Sequence, residues 1–407
     1  MIKFVMIKLL GALTCLLVAG SVVLAQPLAQ PLAQPVAQPL DPAKNTQTTD
    51  NDGFAPVSQD TGTAEQATEV ADDGSKQPTE SIAIAIPETG IEAVRLQIFL
   101  DQKHFGPGFI DGKAGMFTQL AIENYNTSLE RDAADRLVIT ESIKEVPQVY
   151  ASAIIPSFVG DFVDPSLPLE KPLQAEKTFM PYRSVAEFMA ERYHTSEDLL
   201  IELNGLEAVR RAEPRDVLQV PNIEPFKIEQ LSRGRSHKSD ETLSARHVVI
   251  DTTIRQVYIY QLVLPEAEVE QSPPAEENAP ASNQPIKIKA AKPVMVASFP
   301  ITPGQIQFIP RGFWNLKNCV ELPEWRYDKL LLETGVRGSE YLTIPPGPNN
   351  PVGVIWNGLT KSGIGIHGTN HPRTIGRTRS SGCIRLSNWD AAKLPQLVRP
   401  GAVVMVK

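Results

Sequence analysis

The alternation of apolar and polar positions divides the chain into four kinds of stretch. An apolar run from Leu9 to Ala25, preceded by Lys3 and Lys8, gives way to AQPL-AQPL-AQPV-AQPL and then to Thr, Asp, Gln and Gly as far as Ser81. With almost nothing to bury, residues 26–81 cannot offset their ordering entropy, which predicts a disordered linker. Beyond Ile82 the period becomes helical. Val94, Ile98 and Leu100, then Phe117, Ala121 and Tyr125, lie on either side of Gly106-Pro107-Gly108 and Asp111-Gly112, which predicts helix, turn, helix within 82–150. Over 177–226, Val185, Phe188 and Met189 mark one short amphipathic helix and Leu199, Leu200 and Leu203 a second, before the closing strand DVLQVPNIEPF.

From Ser244 the period falls to two. HVVIDTTIRQVYIYQLVL reads as two strands joined by a turn, KPVMVASFPITPG as a third, and GVIWNGL, GIGIHG and AVVMVK as further short strands. Residues 265–285 hold five Glu, no base and abundant Pro, and read as a disordered insert within a hairpin. The expected fold class is therefore multidomain: a small α-helical module, a small α+β module, and a mainly β domain over 244–407 built as a sandwich or barrel.

Composition refines this picture. A chain of 407 residues has room for two or three domains, and its 35 prolines assign part of it to linker. The net charge of -8 is carried by Asp41–Glu88, with ten acids against two bases, whereas Pro351–Lys407 has eight Lys or Arg against Asp390 alone. A basic C-terminal domain suits a carboxylate-rich substrate. Nucleic acid is not expected as a partner, because the arginines are neither interleaved with aromatics nor set in a reader motif. The layout of residues 1–25 is that of a secretory signal cut after Ala25; a retained anchor is the rival reading, the run being near the lower limit for a span. Cys15 lacks the small preceding residue of a lipidation site. After export Cys319 and Cys383 remain, and either a disulfide or a reactive thiol is open to them.

The candidate chemistry lies in GIHGTNHPRTIGRTRSSGCIRLSNWDA, residues 365–391, where His367 precedes Cys383 by sixteen residues. Cysteine attacks carbonyls as the thiolate, which is scarce at neutral pH without a base, and histidine is the usual one. Gly382 permits a close backbone turn whose N–H groups can stabilise an oxyanion. Arg385, on the same face if the chain is extended, can hold a substrate carboxylate. Ser381 and Asn388 flank these as further substrate contacts. His371 is read as a surface residue and His247 as structural; neither the histidines nor the cysteines have metal-ligand spacing, no phosphate loop is present, and no cofactor is expected. Trp314, Trp325 and Trp356 are expected in the core or cleft walls.

HGT followed by SSGCIRLSNWDA, with FPITPG and IPPGPNNPVG upstream, resembles the L,D-transpeptidase catalytic domain of the YkuD type. The resemblance implies that Cys383 is the nucleophile and His367 the proton donor and acceptor, with Gly368 orienting that base, Gly382 at the oxyanion site and Arg385 on the peptide stem. It departs at Ser381, where a second histidine usually stands, so base duty falls to His367 alone. The implied reaction is attack on a peptidoglycan tetrapeptide, release of the terminal D-alanine and transfer of the thioester to an amine of a second stem, giving a 3-3 cross-link in the periplasm or cell envelope. Hydrolysis, attachment of a protein through the same thioester, and non-catalytic wall binding are the alternatives. Leu96-Gln97, Ile110-Asp111-Gly112, Gly115 and Thr118 resemble the small helical peptidoglycan-binding domain, and 177–226 is similar to a LysM module, with Arg183-Ser184-Val185 where Gly-Asp-Thr is usual. These modules imply glycan strands as partners and a role as tethers to polymeric substrate.

Overall fold

In the computed structural model, three helices open the ordered chain: α1 (Ile91–Gln102), α2 (Met116–Ser128) and α3 (Leu137–Glu145). The structure describes residues 85–263, 291–305, 309, 311–378 and 382–407. The expected signal (1–25), linker (26–81), insert (265–285) and Ser381 lie outside the described residues. The turn between α1 and α2 is built around one buried amide. Gln97 Oε1 accepts from the N–H of Asp111 and of Gly112 at 3.0 and 2.9 Å, while Nε2 donates to Asp111 Oδ1 and Lys113 O. Gly112 sits at φ 71° with Val94 against it, so glycine is required there. The third helix is additional to the expected pair.

The next segment holds β1 (Tyr150–Ile154), α4 (Lys171–Ala175), α5 (Val185–Arg192), α6 (Glu197–Asn204), α7 (Leu206–Arg210) and β2 (Val217–Pro221). Ser184 and Ser196 cap α5 and α6 by accepting from Glu187 N and Leu199 N. The two amphipathic helices and the closing strand stand where the sequence predicts. β2 pairs antiparallel with β1, which begins at Tyr150, upstream of the expected 177–226 unit.

The remaining chain forms β3 (Ser236–His237), β4 (His247–Asp251), β5 (Gln256–Val263), β6 (Lys292–Pro300), β7 (Gly312–Glu321), β8 (Trp325–Tyr327), α8 (Lys329–Thr334), β9 (Leu342–Ile344), β10 (Ile355–Leu359), β11 (Gly365–His367), β12 (Ile384–Arg385), α9 (Asn388–Leu397) and β13 (Val403–Val406). The main sheet runs β12-β11-β10-β7-β13-β4-β5-β6, with β3 also on β7. Its pairs are antiparallel except β4 with β13 and β11 with β12. Just beyond β6, Thr302 bridges to Arg385 of β12. The two ends of the sheet thus meet, and the mainly β domain is a curled, nearly closed sheet rather than a sandwich of two sheets.

The modules expected to hang as tethers are packed against this sheet. Gly106 N donates to Ser298 O and Ser298 N to His104 O, so the α1–α2 turn lies along the β6 edge, and Asn124 of α2 donates to Ser298 Oγ. One apolar cluster joins Phe188, Met189 and Leu200 to sheet residues such as Val257 and Ile366; a second joins the α1–α3 core to Leu199, Tyr258 and Met295. The described residues belong to one compact unit. Among them no helix is long and apolar enough to cross a membrane.

Candidate active site

The sheet register builds the site. Trp356 of β10 stands opposite Val320 of β7 on one side and His367 of β11 on the other, and His367 pairs in turn with Arg385 of β12. Side chains in register share a face, so Val320, Trp356, His367 and Arg385 form one row, and all four line a cavity of about 950 Å³. Cys383, two residues before Arg385, and Gly382 line it too. The next row across, Cys319–Asn357–Ile366–Ile384, faces the other way into the core.

His367 is buried, with 3% of its surface exposed. Its Nδ1–H donates to Gly368 O at 2.6 Å, since a carbonyl can only accept; the proton on Nδ1 leaves Nε2 as the basic nitrogen. Burial lowers its pKa to about 4, with Arg385 pushing the same way and the Gly368 and Val352 carbonyls opposing. Burial raises the Cys383 thiol, against the Gly365 N–H and the charge of Arg385, which favour the thiolate. At neutral pH the resting pair is a neutral imidazole and a neutral thiol.

Two glycines make room for the aromatic wall. A Cβ on Gly365 would come within 2.7 Å of the Trp356 indole, and one on Gly358 within 2.9 Å of its Nε1. The ring stacks on His367 with centroids 5.5 Å apart and planes at 22°. Gly382 has φ 149°, open to glycine alone, and a Cβ on Gly304 would meet its Cα at 2.7 Å. The turn leading into Cys383 is thus pressed against the end of FPITPG.

The cavity wall is basic. Arg233, Arg326, Arg337, Lys361 and Arg385 line it against the two acids Glu324 and Asp328, and those acids are bridged to Arg233 and Arg326. Burial lowers the pKa of Arg385, and its Nε has no partner among the described residues. Such a wall suits an anionic ligand.

Residues 288–406 match the L,D-transpeptidase catalytic domain. The YkuD protein of Bacillus licheniformis is 44% identical over 61 residues, which is 15% of this chain and 37% of that protein. The YkuD protein of Bacillus subtilis is 37% identical over 78 residues, 19% of this chain and 48% of that protein. The chain spans less than half the length of either. Among solved structures, L,D-transpeptidase 3 from Mycobacterium tuberculosis is 16% identical, with a TM-score of 0.26, over 48% of this chain and 75% of that one.

The sequence-predicted residues divide into two groups. His367, Gly382, Cys383 and Arg385 come together at the cavity. Asn388 does not: it is wholly buried, its Oδ1 accepting from Val354 N and Thr369 N and its Nδ2 donating to Glu191 and Pro348. It is not a lining residue, because the first turn of α9 points it beneath the strands. His371 is exposed and lines a separate cavity of about 420 Å³, and His247 opens β4 half-buried. Trp325 and Trp356 are cleft walls, while Trp314 packs on the main core. Cys319 and Cys383 are not joined to each other; they belong to opposite faces, and burial pushes Cys319 up to about 12. Among the described residues no three His, Cys, Asp or Glu gather as a metal site.

Sequence reasoning passed over Thr302. Its Oγ1 accepts from Gly376 N at 2.9 Å and donates to Thr374 O at 3.1 Å, so it holds residues 374–376 in the loop that follows His367. The signal was present in FPITPG, but only as one part of a family pattern.

Proposed function

We propose that this chain is a cysteine acyltransferase acting on peptidoglycan peptide stems, an L,D-transpeptidase. Cys383 Sγ attacks the carbonyl of the L-centred diamino acid in a tetrapeptide stem while His367 Nε2 takes the thiol proton. The carbonyl oxygen gains the negative charge beside the N–H groups of Gly382 and Cys383. Collapse expels the terminal D-alanine, protonated by His367, and leaves a thioester on Cys383. An amine of a second stem, giving up a proton to His367, resolves it as a 3-3 cross-link. Arg385 holds a stem carboxylate, and Ser381 contributes contact beside the nucleophile but no proton transfer. The observation that carries the reading is the row Trp356–His367–Arg385 with Cys383 at the same cavity.

Catalysis in the periplasm or cell envelope is part of the same proposal, as are glycan strands as partners of the two upstream segments. Tetrapeptide muropeptides incubated with the protein should give cross-linked dimers by mass spectrometry, and Cys383→Ala should give none. Equal dimer yield from that variant would remove the assignment. A product profile of free tripeptide instead of dimer would assign the thioester to water, making the enzyme an L,D-carboxypeptidase.

A further inference from the structure

The side chain that fixes the carbonyl partner of His367 is held from outside the catalytic domain. Asn388 Oδ1 accepts from Val354 N at 3.2 Å and Thr369 N at 3.1 Å, so one amide ties the start of β10 to the residue after Gly368. It sits flush between two glycines: a Cβ on Gly353 would come within 2.1 Å of Oδ1 and one on Gly368 within 2.2 Å. Gly368 O is the atom that takes the His367 Nδ1 proton. Any turn of the Asn388 amide therefore moves the group that sets the tautomer of His367.

The amide is held between two backbone donors on its oxygen and Glu191 with Pro348 O on its nitrogen. Asn388 Nδ2 donates to both Glu191 oxygens at 3.0 Å and to Pro348 O at 3.2 Å. A flipped amide would put its oxygen against the carboxyl group and its hydrogens against two N–H donors. Glu191 belongs to α5, nearly two hundred residues upstream, and is fixed by Tyr182, whose hydroxyl donates to Oε1 at 2.7 Å. Tyr182 and Glu191 are both buried, and no ion pair to Glu191 is found among the described residues. A buried acid without a cation costs stability that an apolar residue would not, which points to a role other than packing.

We infer that Glu191 is a positioning residue for catalysis: through Asn388 it holds the Gly368 carbonyl where it keeps the Nδ1–H tautomer of His367, making the upstream α5 segment part of the catalytic apparatus. This rests on the acyltransfer reading for its kinetic consequence but not for its structural one.

The test uses the full chain and two readouts. In Glu191→Met, which keeps length and loses both acceptors, the ¹⁵N shifts of His367 should lose the pure Nδ1–H pattern of the wild type. On tetrapeptide substrate kcat should fall by about 10- to 100-fold with KM nearly unchanged. Glu191→Gln, which keeps one acceptor for Asn388 and Tyr182, should recover most of both. If Glu191→Met does not give the wild-type near-ultraviolet circular dichroism spectrum, Glu191→Ser, with room for water, is measured instead and read the same way. A His367 tautomer unchanged in a folded variant overturns the inference. A wild type that turns over no stem peptide, yet whose tautomer responds to Glu191, overturns the acyltransfer reading alone.

Discussion

Thr302 and Arg385 exchange backbone hydrogen bonds, N–H to carbonyl, at 2.9 and 3.0 Å in the two directions. They join the end of β6 to the strand that follows the nucleophile, so the last sheet edge is paired instead of open. Thr302 is fully buried, and its hydroxyl reaches on to the loop carrying residues 374–376.

Thr302→Val should keep the closure and lose the loop contact. The Gly376 N–H would be left unpaired, while the Thr374 carbonyl keeps the Arg377 N–H, at a cost of about 1 to 3 kcal/mol. Urea denaturation should show that loss, and turnover should fall further than stability alone explains.

Gly365→Ala should displace the Trp356 indole, because the added methyl meets it at 2.7 Å. Loss of the Trp356–His367 stack should shift tryptophan emission and depress kcat/KM. Trp356→Phe in the Gly365→Ala background, with a smaller ring, should recover part of the activity.

Acid inactivation should come late. With His367 lowered to about 4 by burial, its imidazole is a base throughout the range above that value, so the acid limb of kcat/KM should lie near pH 4 rather than 6.5. A limb near 6.5 would mean that His367 is not the base.

Stability should have its own pH profile. Between pH 6.5 and 4 the unfolded chain binds a proton that folded His367 refuses, so stability falls as the pH drops through this window, by about 3 kcal/mol for that group alone. Burial also raises Glu191 from 4.5 to about 8 and Asp390 from 3.8 to about 7. From their unfolded values upward the folded state keeps protons that the unfolded chain has released, so this contribution opposes that of His367 up to pH 6.5 and alone lowers stability as the pH rises on toward 8. Glu191→Gln should flatten that alkaline decline in chemical-denaturation midpoints measured from pH 6.5 to 8.5.

Lys393→Met should destabilise the fold. Lys393 Nζ lies 2.8 Å from Asp101 Oδ1, and Asp101, held well below the usual carboxylate range by Lys393 and His194 in spite of burial, would lose its main cation. Removing one partner of a buried pair costs about 3 to 5 kcal/mol, readable as a lowered urea midpoint. Asp101→Asn in the same background should restore part of it.

Local chemistry made much of this protein legible before folding. The periodicity of Val185, Phe188 and Met189 marks a helix, Asp111-Gly112 a turn, and the alternation in HVVID and QVYIYQL a hairpin, because turns and half-buried elements are decided by a few neighbouring residues. Cys383, His367 and Arg385 could be singled out for the same reason, by residue type and spacing, and the fold brings them to one cavity. Tertiary pairing decided the rest. Nothing near Thr302 in the chain says that it meets Arg385; nothing near Asn388 says that its amide faces Glu191 instead of substrate; and Tyr150 is marked as the partner of Pro221 only by the register of β1 on β2. Hydrogen bonds between distant segments depend on which surfaces the packed core brings together, and that is a property of the whole chain rather than of any stretch of it.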